Sequence, residues 1–351
     1  MVLDNQERIL LTAGADLIRQ ALPAGWDIGV LTSGGSDRSW DASITIKAPD
    51  GRTATFSVDV KKHVSPANAR AFVERIAKLE SAPAMLVVSE FLSPITRDLL
   101  RARSISFVDL TGNIRLEHAS PGLFVLKTGA DRDPKPAPGP VRSLRGDKAA
   151  RIVRTLIDIK DPGTVREIAS AADADGGYVS RLLAWLADED LIRRNRRGAL
   201  LEVRWPELLR RWADESPLAT RAERVELLDP RGANHVIAAL PQLTSQYAVT
   251  GSFAANLHIS WVPPRLAMIH CSSPSLVAAQ LGLRETDSGA NVFLLTARDD
   301  LPYLRSKLHN KVRYCHPSQV CADLLSGPAR SGSEVEVLIQ WMKENEGVWR
   351  D

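Results

Sequence analysis

Three cysteines in 351 residues, Cys271, Cys315 and Cys321, are too few for a disulfide framework and point to a reducing, cytoplasmic setting. None stands in a CxxC pair, and His270 and His316 show no HxxxH spacing, so buried thiols and satisfied histidines are expected rather than a zinc site. No run approaches the ~20 apolar residues that cross a bilayer, so no membrane partner is expected. The opening MVLDNQERIL lacks a basic start followed by an apolar stretch, which argues against a signal peptide. Internal repeats are absent, and the sole biased tract is rich in proline. With 44% hydrophobic and 25% charged residues, wholesale disorder is excluded.

The net charge of +3 says little, but its distribution does. Between Val141 and Arg211 there are 15 Lys or Arg against 11 Asp or Glu, an excess of four that leaves the rest of the chain slightly acidic. At 351 residues the chain also exceeds one ordinary core. An α/β multi-domain organisation is expected: an α/β domain over 1–130, a Pro-rich linker over 131–146, a helical module with a ribbon over 147–214, and a C-terminal α/β interaction or sensing domain over 215–351. The linker reading rests on DRDPKPAPGPVRSLRG, whose prolines hold the chain extended and remove helix donors.

In the middle region, three short apolar-periodic helices precede a hairpin. The stretch Val165–Ala172, the turn Asp173-Ala174-Asp175-Gly176 and a helix from Gly177 to Glu189 have the form of a helix-turn-helix. Val179, Leu182, Leu183, Trp185 and Leu186 supply its buried stripe, which leaves Tyr178, Ser180 and Arg181 outward. Arg181 can address guanine edges bidentately, while Ser180 and Tyr178 suit phosphates. Arg193, Arg194, Arg196 and Arg197 surround Asn195 at the hairpin tip, where a wing would sit. Guanidiniums so crowded repel one another unless a polyanion neutralises them. This pattern predicts a winged helix-turn-helix that binds double-stranded DNA; the bland alternative is a solvated charged turn in a module for protein contacts.

In the N-terminal region, Asp41 opens one strand and Asp59-Val60-Lys61 ends the next. This is the D…(D/E)xK pattern of the restriction-endonuclease-like fold. Asp41 and Asp59 would hold Mg²⁺, and Lys61 would orient the attacking water. Period-two geometry puts Asp59 and Lys61 on one face. Glu7 is a further acidic candidate, and a polar strand exit through Lys62 and His63 is the plain alternative. Without nuclease activity no cofactor is expected.

The segment Ile105–Leu116, ISFVDLTGNIRL, resembles one found in AbiEi-like antitoxins, transcriptional regulators of type IV toxin–antitoxin systems. Gly177–Leu183 with Trp205–Ala213, Tyr247–Ala255, and His316–Val320 with Asp323–Leu325 resemble the same group. The resemblance implies a DNA-binding autorepressor, with a nucleotidyltransferase toxin as a protein partner. The N-terminal nuclease-like domain departs from the smaller members. Thr250-Gly251-Ser252 after a strand also resembles the opening of nucleotidyltransferase folds, but Leu266–Cys271 carries no carboxylate pair, so a degenerate relative of that fold used for interaction is the better reading.

The leading expectation is thus a cytoplasmic transcriptional regulator, dimeric on an inverted repeat, whose winged helix reads an operator. The rivals are a Mg²⁺-dependent DNA nuclease and an antitoxin that binds a toxin protein.

Overall fold

A computed structural model describes residues 3–32, 40–79, 82–135, 143–327 and 332–351. The chain forms two units, Met1–Gly139 with Leu186–Asp190, and Pro140–Trp185 with Leu191–Asp351. Of the proline-rich stretch, residues 136–142 lie outside the described residues.

In the first unit, α1 (Asn5–Ala21) begins with a reciprocal cap: Asp4 accepts the Glu7 N–H at 2.8 Å and Glu7 accepts the Asp4 N–H at 3.0 Å. The chain then runs β1 (Asp27–Thr32), β2 (Ala42–Lys47), β3 (Thr53–Val60), α2 (Pro66–Ala77), β4 (Met85–Ser89), α3 (Pro94–Arg101), β5 (Ser106–Asp109), β6 (Ile114–His118) and β7 (Leu123–Lys127). Ser65 and Ser93 cap α2 and α3, each followed by a proline whose missing N–H costs nothing in a first turn. The seven strands lie side by side in chain order. β3, β4 and β5 are parallel, and the outer pairs are antiparallel.

Parallel strands are covered on both faces, and β4 is accordingly buried throughout. Leu86, Val88 and Val108 join the α1 core, while Met85, Val87 and Phe107 join Phe72, Ile76 and Leu100 from α2 and α3. The approach of α1 depends on Gly14: a Cβ there would stand 2.8 Å from Val88 Cγ1.

Ile105–Leu116 owes its pattern to the turn between β5 and β6. The fully buried Asp109 accepts the N–H groups of Leu92 (3.0 Å), Thr111 (2.9 Å) and Asn113 (3.1 Å) and the Asn113 side-chain amide (2.9 Å). Asn113 Oδ1 then accepts the Gly129 N–H at 2.8 Å. A Cβ at Gly129 would lie 2.3 Å from the Thr111 carbonyl oxygen, so only glycine fits. The segment is a structural lock, and the polar atoms of Asp109, Thr111 and Asn113 are spent on one another and on nearby backbone.

The second unit opens with α4 (Asp147–Asp158), α5 (Val165–Ala171) and α6 (Gly176–Asp188), of which residues 186–188 count with the first unit, then the ribbon β8 (Ile192–Arg194) and β9 (Leu200–Val203) and helix α7 (Trp205–Glu215). It continues through α8 (Leu218–Arg221), β10 (Ala222–Leu228), α9 (Ala233–Ala239), β11 (Tyr247–Thr250), α10 (Gly251–Ala255), β12 (Ala267–Cys271) and α11 (Pro274–Leu281). Strands β13 (Arg284–Glu285), β14 (Val292–Ala297), β15 (Lys307–His309) and β16 (Val312–Tyr314) and helices α12 (Pro317–Ser326), α13 (Gly332–Glu344) and α14 (Glu346–Trp349) complete it.

Its sheet has the order β13-β10-β14-β12-β11-β16-β15, a mixed arrangement in which β12–β14 and β11–β16 are parallel. One face packs Val236 of α9, Leu240 just after it and Val277 of α11 on Val249, Ile269 and Leu294; the other sets Leu218 against Met268, Phe293 and Leu295. α12 is central, touching α4, α7, α8, α10 and α13, and every residue from Pro317 to Leu324 is buried. α4, whose spacing predicts one apolar face, is instead covered almost all round by α5, α7 and α12. Among the described residues no helix is long and apolar enough to cross a membrane.

Candidate functional site

α5 starts with a second reciprocal cap, Thr164 with Glu167, and ends at a turn in which Asp173 adopts φ 48. Asp175 Oδ1 accepts the Tyr178 N–H at 2.9 Å, capping the first turn of α6. Along α6, Val179, Leu182, Leu183 and Leu186 are buried and Trp185 is half-buried, whereas Ser180, Arg181 and Ala184 are exposed. Burial of such side chains contributes about 1.5–3 kcal/mol each, which fixes which face of the helix is left to solvent. Tyr178 is half-buried; partial burial raises its phenol above the ordinary value against the pull of Arg181, so it remains a hydroxyl donor at neutral pH.

The hairpin tip is a closed turn. Asn195 N–H donates to the Ala199 carbonyl (2.9 Å), and Asn195 Oδ1 accepts the N–H groups of Arg197 (2.9 Å) and Ala199 (3.0 Å). Gly198 takes φ +84, a left-handed conformation suited to glycine. The four arginines around this turn divide into two pairs. Arg193 lies 3.3 Å from Glu202, and Arg194 Nε donates back to the Gly198 carbonyl at 2.9 Å. Arg196 and Arg197 are exposed and, like Arg181, meet no carboxylate among the described residues. Asn195 therefore shapes the turn with its side-chain oxygen, and the free cations of the tip are Arg196 and Arg197.

In the first unit the antiparallel register of β2 and β3 brings Asp41, Asp59 and Lys61 together. Lys61 Nζ stands 3.5 Å from Asp41 Oδ2 and 3.8 Å from Asp59 Oδ1, and Arg75 Nη2 is also 3.8 Å from Asp59 Oδ1. Asp41 Oδ2 accepts the Val60 N–H at 2.9 Å. Burial raises the Asp59 carboxyl above its usual range; Lys61 and Arg75 oppose this, while the charges of Asp41 and Glu7 add to it. Glu7 thus acts on the cluster electrostatically although its own oxygen serves the α1 cap. Asp59, Lys61, His63, Asn68 and Arg75 border a surface cavity of about 400 Å³. Among the described residues no three His, Cys, Asp or Glu groups converge as a metal cluster. Two carboxylates are nonetheless the protein share that Mg²⁺ commonly takes, water or phosphate oxygens supplying the rest.

A third constellation, buried in the second unit, has little local signature. Arg154 of α4, wholly buried, donates to Asp158 (Nε to Oδ2, 3.0 Å) and to Gln319 Oε1 (Nη1, 2.7 Å). Gln319 Nε2 donates to Asp323 Oδ1 at 2.9 Å. Asp323 also accepts Arg221 Nη1 (2.9 Å), Thr250 Oγ1 (2.8 Å) and His270 Nε2 (2.9 Å). Burial works to raise the Asp323 carboxyl, but Arg221, His270 and these hydrogen bonds hold it at about 2. Asp158, bonded in turn by Arg154, Ser318 and His316, sits well below the usual carboxylate range. The sequence signal was a charged residue interrupting an apolar stripe, as Arg154 does between Val153 and Leu156. Ser252, next to Gly251, spends its hydroxyl on Glu334 at 2.8 Å. The three cysteines are free thiols and buried.

Residues 202–344 match a family of transcriptional regulators. The family is described as transcriptional regulators, the AbiEi antitoxins of type IV toxin–antitoxin systems, and the matched stretch runs from β9 to the end of α13. The match takes in the β11–α10 and α12 segments and leaves α4 to α6 and the whole first unit outside. No curated protein and no solved structure matches the chain.

Proposed function

We propose that this chain is a DNA-binding transcriptional regulator whose α4–α7 region works as a winged helix-turn-helix. α6 enters the major groove with Ser180 and Arg181 toward the bases and phosphates. The hairpin tip carries Arg196 and Arg197 to the flanking backbone or a narrow minor groove. The observation that carries this reading is the set of three exposed arginines that meet no carboxylate among the described residues, on two elements of one unit, one of them a helix whose opposite face is buried. The description of the family matched by residues 202–344, a transcriptional regulator and antitoxin, supports it. On that basis the chain represses its own promoter as a two-fold dimer on an inverted repeat, and a toxin protein is the partner of its C-terminal half.

Footprinting of the full chain on its own upstream DNA, with and without Mg²⁺, tests this. A discrete protected site that is lost in Arg181→Ala and weakened in Arg196→Ala/Arg197→Ala is the expected result. Absence of protection at moderate salt refutes it.

A second reading is favoured by the convergence of Asp41, Asp59 and Lys61. In a Mg²⁺-dependent nuclease, Asp41 and Asp59 would bind the ion, which supplies a polarised water and charge neutralisation at the phosphate. Lys61 would hold that water, and Arg75 would sit beside the phosphate. Metal-dependent strand breaks in the footprint that vanish in Asp59→Ala, with protection retained, would establish this reading in place of the first.

A further inference from the structure

A cavity of about 410 Å³ opens in the second unit between the start of α4, the α7–α8 junction and the loop after β14. Two residues that line it, His270 and Asp299, each carry a buried polar atom that no hydrogen bond satisfies among the described residues, His270 Nδ1 and Asp299 Oδ2. His270 is only 1% exposed. Buried polar groups are nearly always paired, and two orphans on residues lining one cavity are the mark of a site whose partner comes from outside.

Their chemistry specifies that partner. Asp323 is an acceptor only, so the hydrogen on His270 Nε2 lies in the 2.9 Å bond between them. In the neutral ring Nδ1 is then an acceptor without a partner among the described residues. Asp299 uses Oδ1 to accept the Leu301 N–H at 3.1 Å, which leaves Oδ2 as a second acceptor. Both orphans call for N–H donors. The rim has the opposite character: Arg298 is exposed and meets no carboxylate among the described residues, and Arg145 spends only Nε, on the Glu215 carbonyl at 3.0 Å.

We propose that this cavity is an effector site for a small amphoteric molecule, with an amino or amide N–H head held by His270 and Asp299 and a carboxylate or phosphate tail held by Arg298 and Arg145. Amino acids and nucleotides with an amino-bearing base share this chemistry. The site connects to the DNA-facing module without a break, since His270 bonds Asp323, Asp323 bonds Gln319, and Gln319 bonds Arg154 of α4. Occupation therefore biases the position of α4, which packs on α5 and α7. This regulatory half rests on the DNA-binding reading above; the site itself does not.

Calorimetry of the full chain without DNA, titrated in turn with L-lysine, L-arginine, AMP and CMP, tests the site. Saturable binding of one class at about millimolar Kd or tighter is expected, weakened about tenfold or more by Asp299→Asn and by Arg298→Ala. Arg298 is exposed, and Asp299→Asn keeps the oxygen that accepts the Leu301 N–H, so the variants should melt as the parent does. No binding by any of the four probes, or binding untouched by both variants, overturns the site. The two probe classes distinguish an amino acid from a nucleotide. A gel shift with the bound probe then tests the coupling. A change in DNA affinity of about 5- to 150-fold supports it, and unchanged affinity in protein that binds both DNA and probe overturns it. Failure to bind DNA without any probe would instead remove the function proposed above.

Discussion

Arg154→Met should be among the most destabilising single substitutions in the second unit. The arginine is wholly buried and donates to Asp158, Gln319 and the Leu301 carbonyl, the last at 3.4 Å. Methionine fills much the same volume but leaves the Asp158 carboxylate in the interior with its principal cation gone. Breaking a buried pair by removing one partner costs about 3–5 kcal/mol. Here the lower end applies, because Arg305 at 3.6 Å and His316 at 3.4 Å remain beside Asp158. Loss of about 3 kcal/mol is therefore expected. The exposed pair Arg210–Glu336, although bidentate at 2.6 Å, should yield under about 1 kcal/mol in Arg210→Ala, since water screens it. Urea unfolding followed by tryptophan fluorescence is the assay, as Trp185, Trp205, Trp212, Trp261, Trp341 and Trp349 all lie in the second unit. Adding Asp158→Leu to Arg154→Met should recover part of the loss, because an apolar pair carries no desolvation penalty. If Arg154→Met costs no more than Arg210→Ala, the buried network does not hold α4 and the reasoning fails.

Acid should weaken the same unit. Asp323 is held at about 2 against 3.8 when unperturbed, so its contribution is full above the unfolded value and is lost as pH falls from about 4 toward 2. A shift of that size corresponds to roughly 2–3 kcal/mol, and an unchanged acid transition in Asp323→Asn would contradict the assignment. In DNA binding, Arg196→Ala/Arg197→Ala should flatten the plot of log affinity against log salt by about 0.9 for each phosphate that is no longer neutralised; a parallel plot would place both side chains off the DNA. In the first unit, Gly129→Ala puts a Cβ 2.3 Å from the Thr111 oxygen and should lower the thermal midpoint by several degrees, and an unshifted melt would mean that the Asp109–Asn113 lock yields freely.

Much of the local structure was legible in the sequence. The helices expected over Val165–Ala172 and Gly177–Glu189 lie at Val165–Ala171 and Gly176–Asp188, with ends shifted by one residue. The face of α6 was readable as well, since a helix with Val179, Leu182, Leu183 and Leu186 inside has no other way to turn Ser180 and Arg181. Periodicity and caps act over three or four residues, and chain geometry alone sets them.

What escaped the sequence depends on partners far along the chain. β1 exposes Val30 and Leu31 at a sheet edge, and β10 exposes Glu223 to Glu226, so neither shows the alternation of a half-buried strand; pairing with β2 and β14 makes them strands. The spacing of Asp41, Asp59 and Lys61 suggested a cluster, but their 3.5 and 3.8 Å approaches follow from the β2–β3 register. Arg154, Asp158, Gln319, Asp323 and His270 look unrelated along the chain, separated by as much as 169 positions between Arg154 and Asp323. Only the seating of α12 against α4 and the second sheet brings them together, because a buried charge is tolerable only where another element delivers its counter-charge and hydrogen bonds.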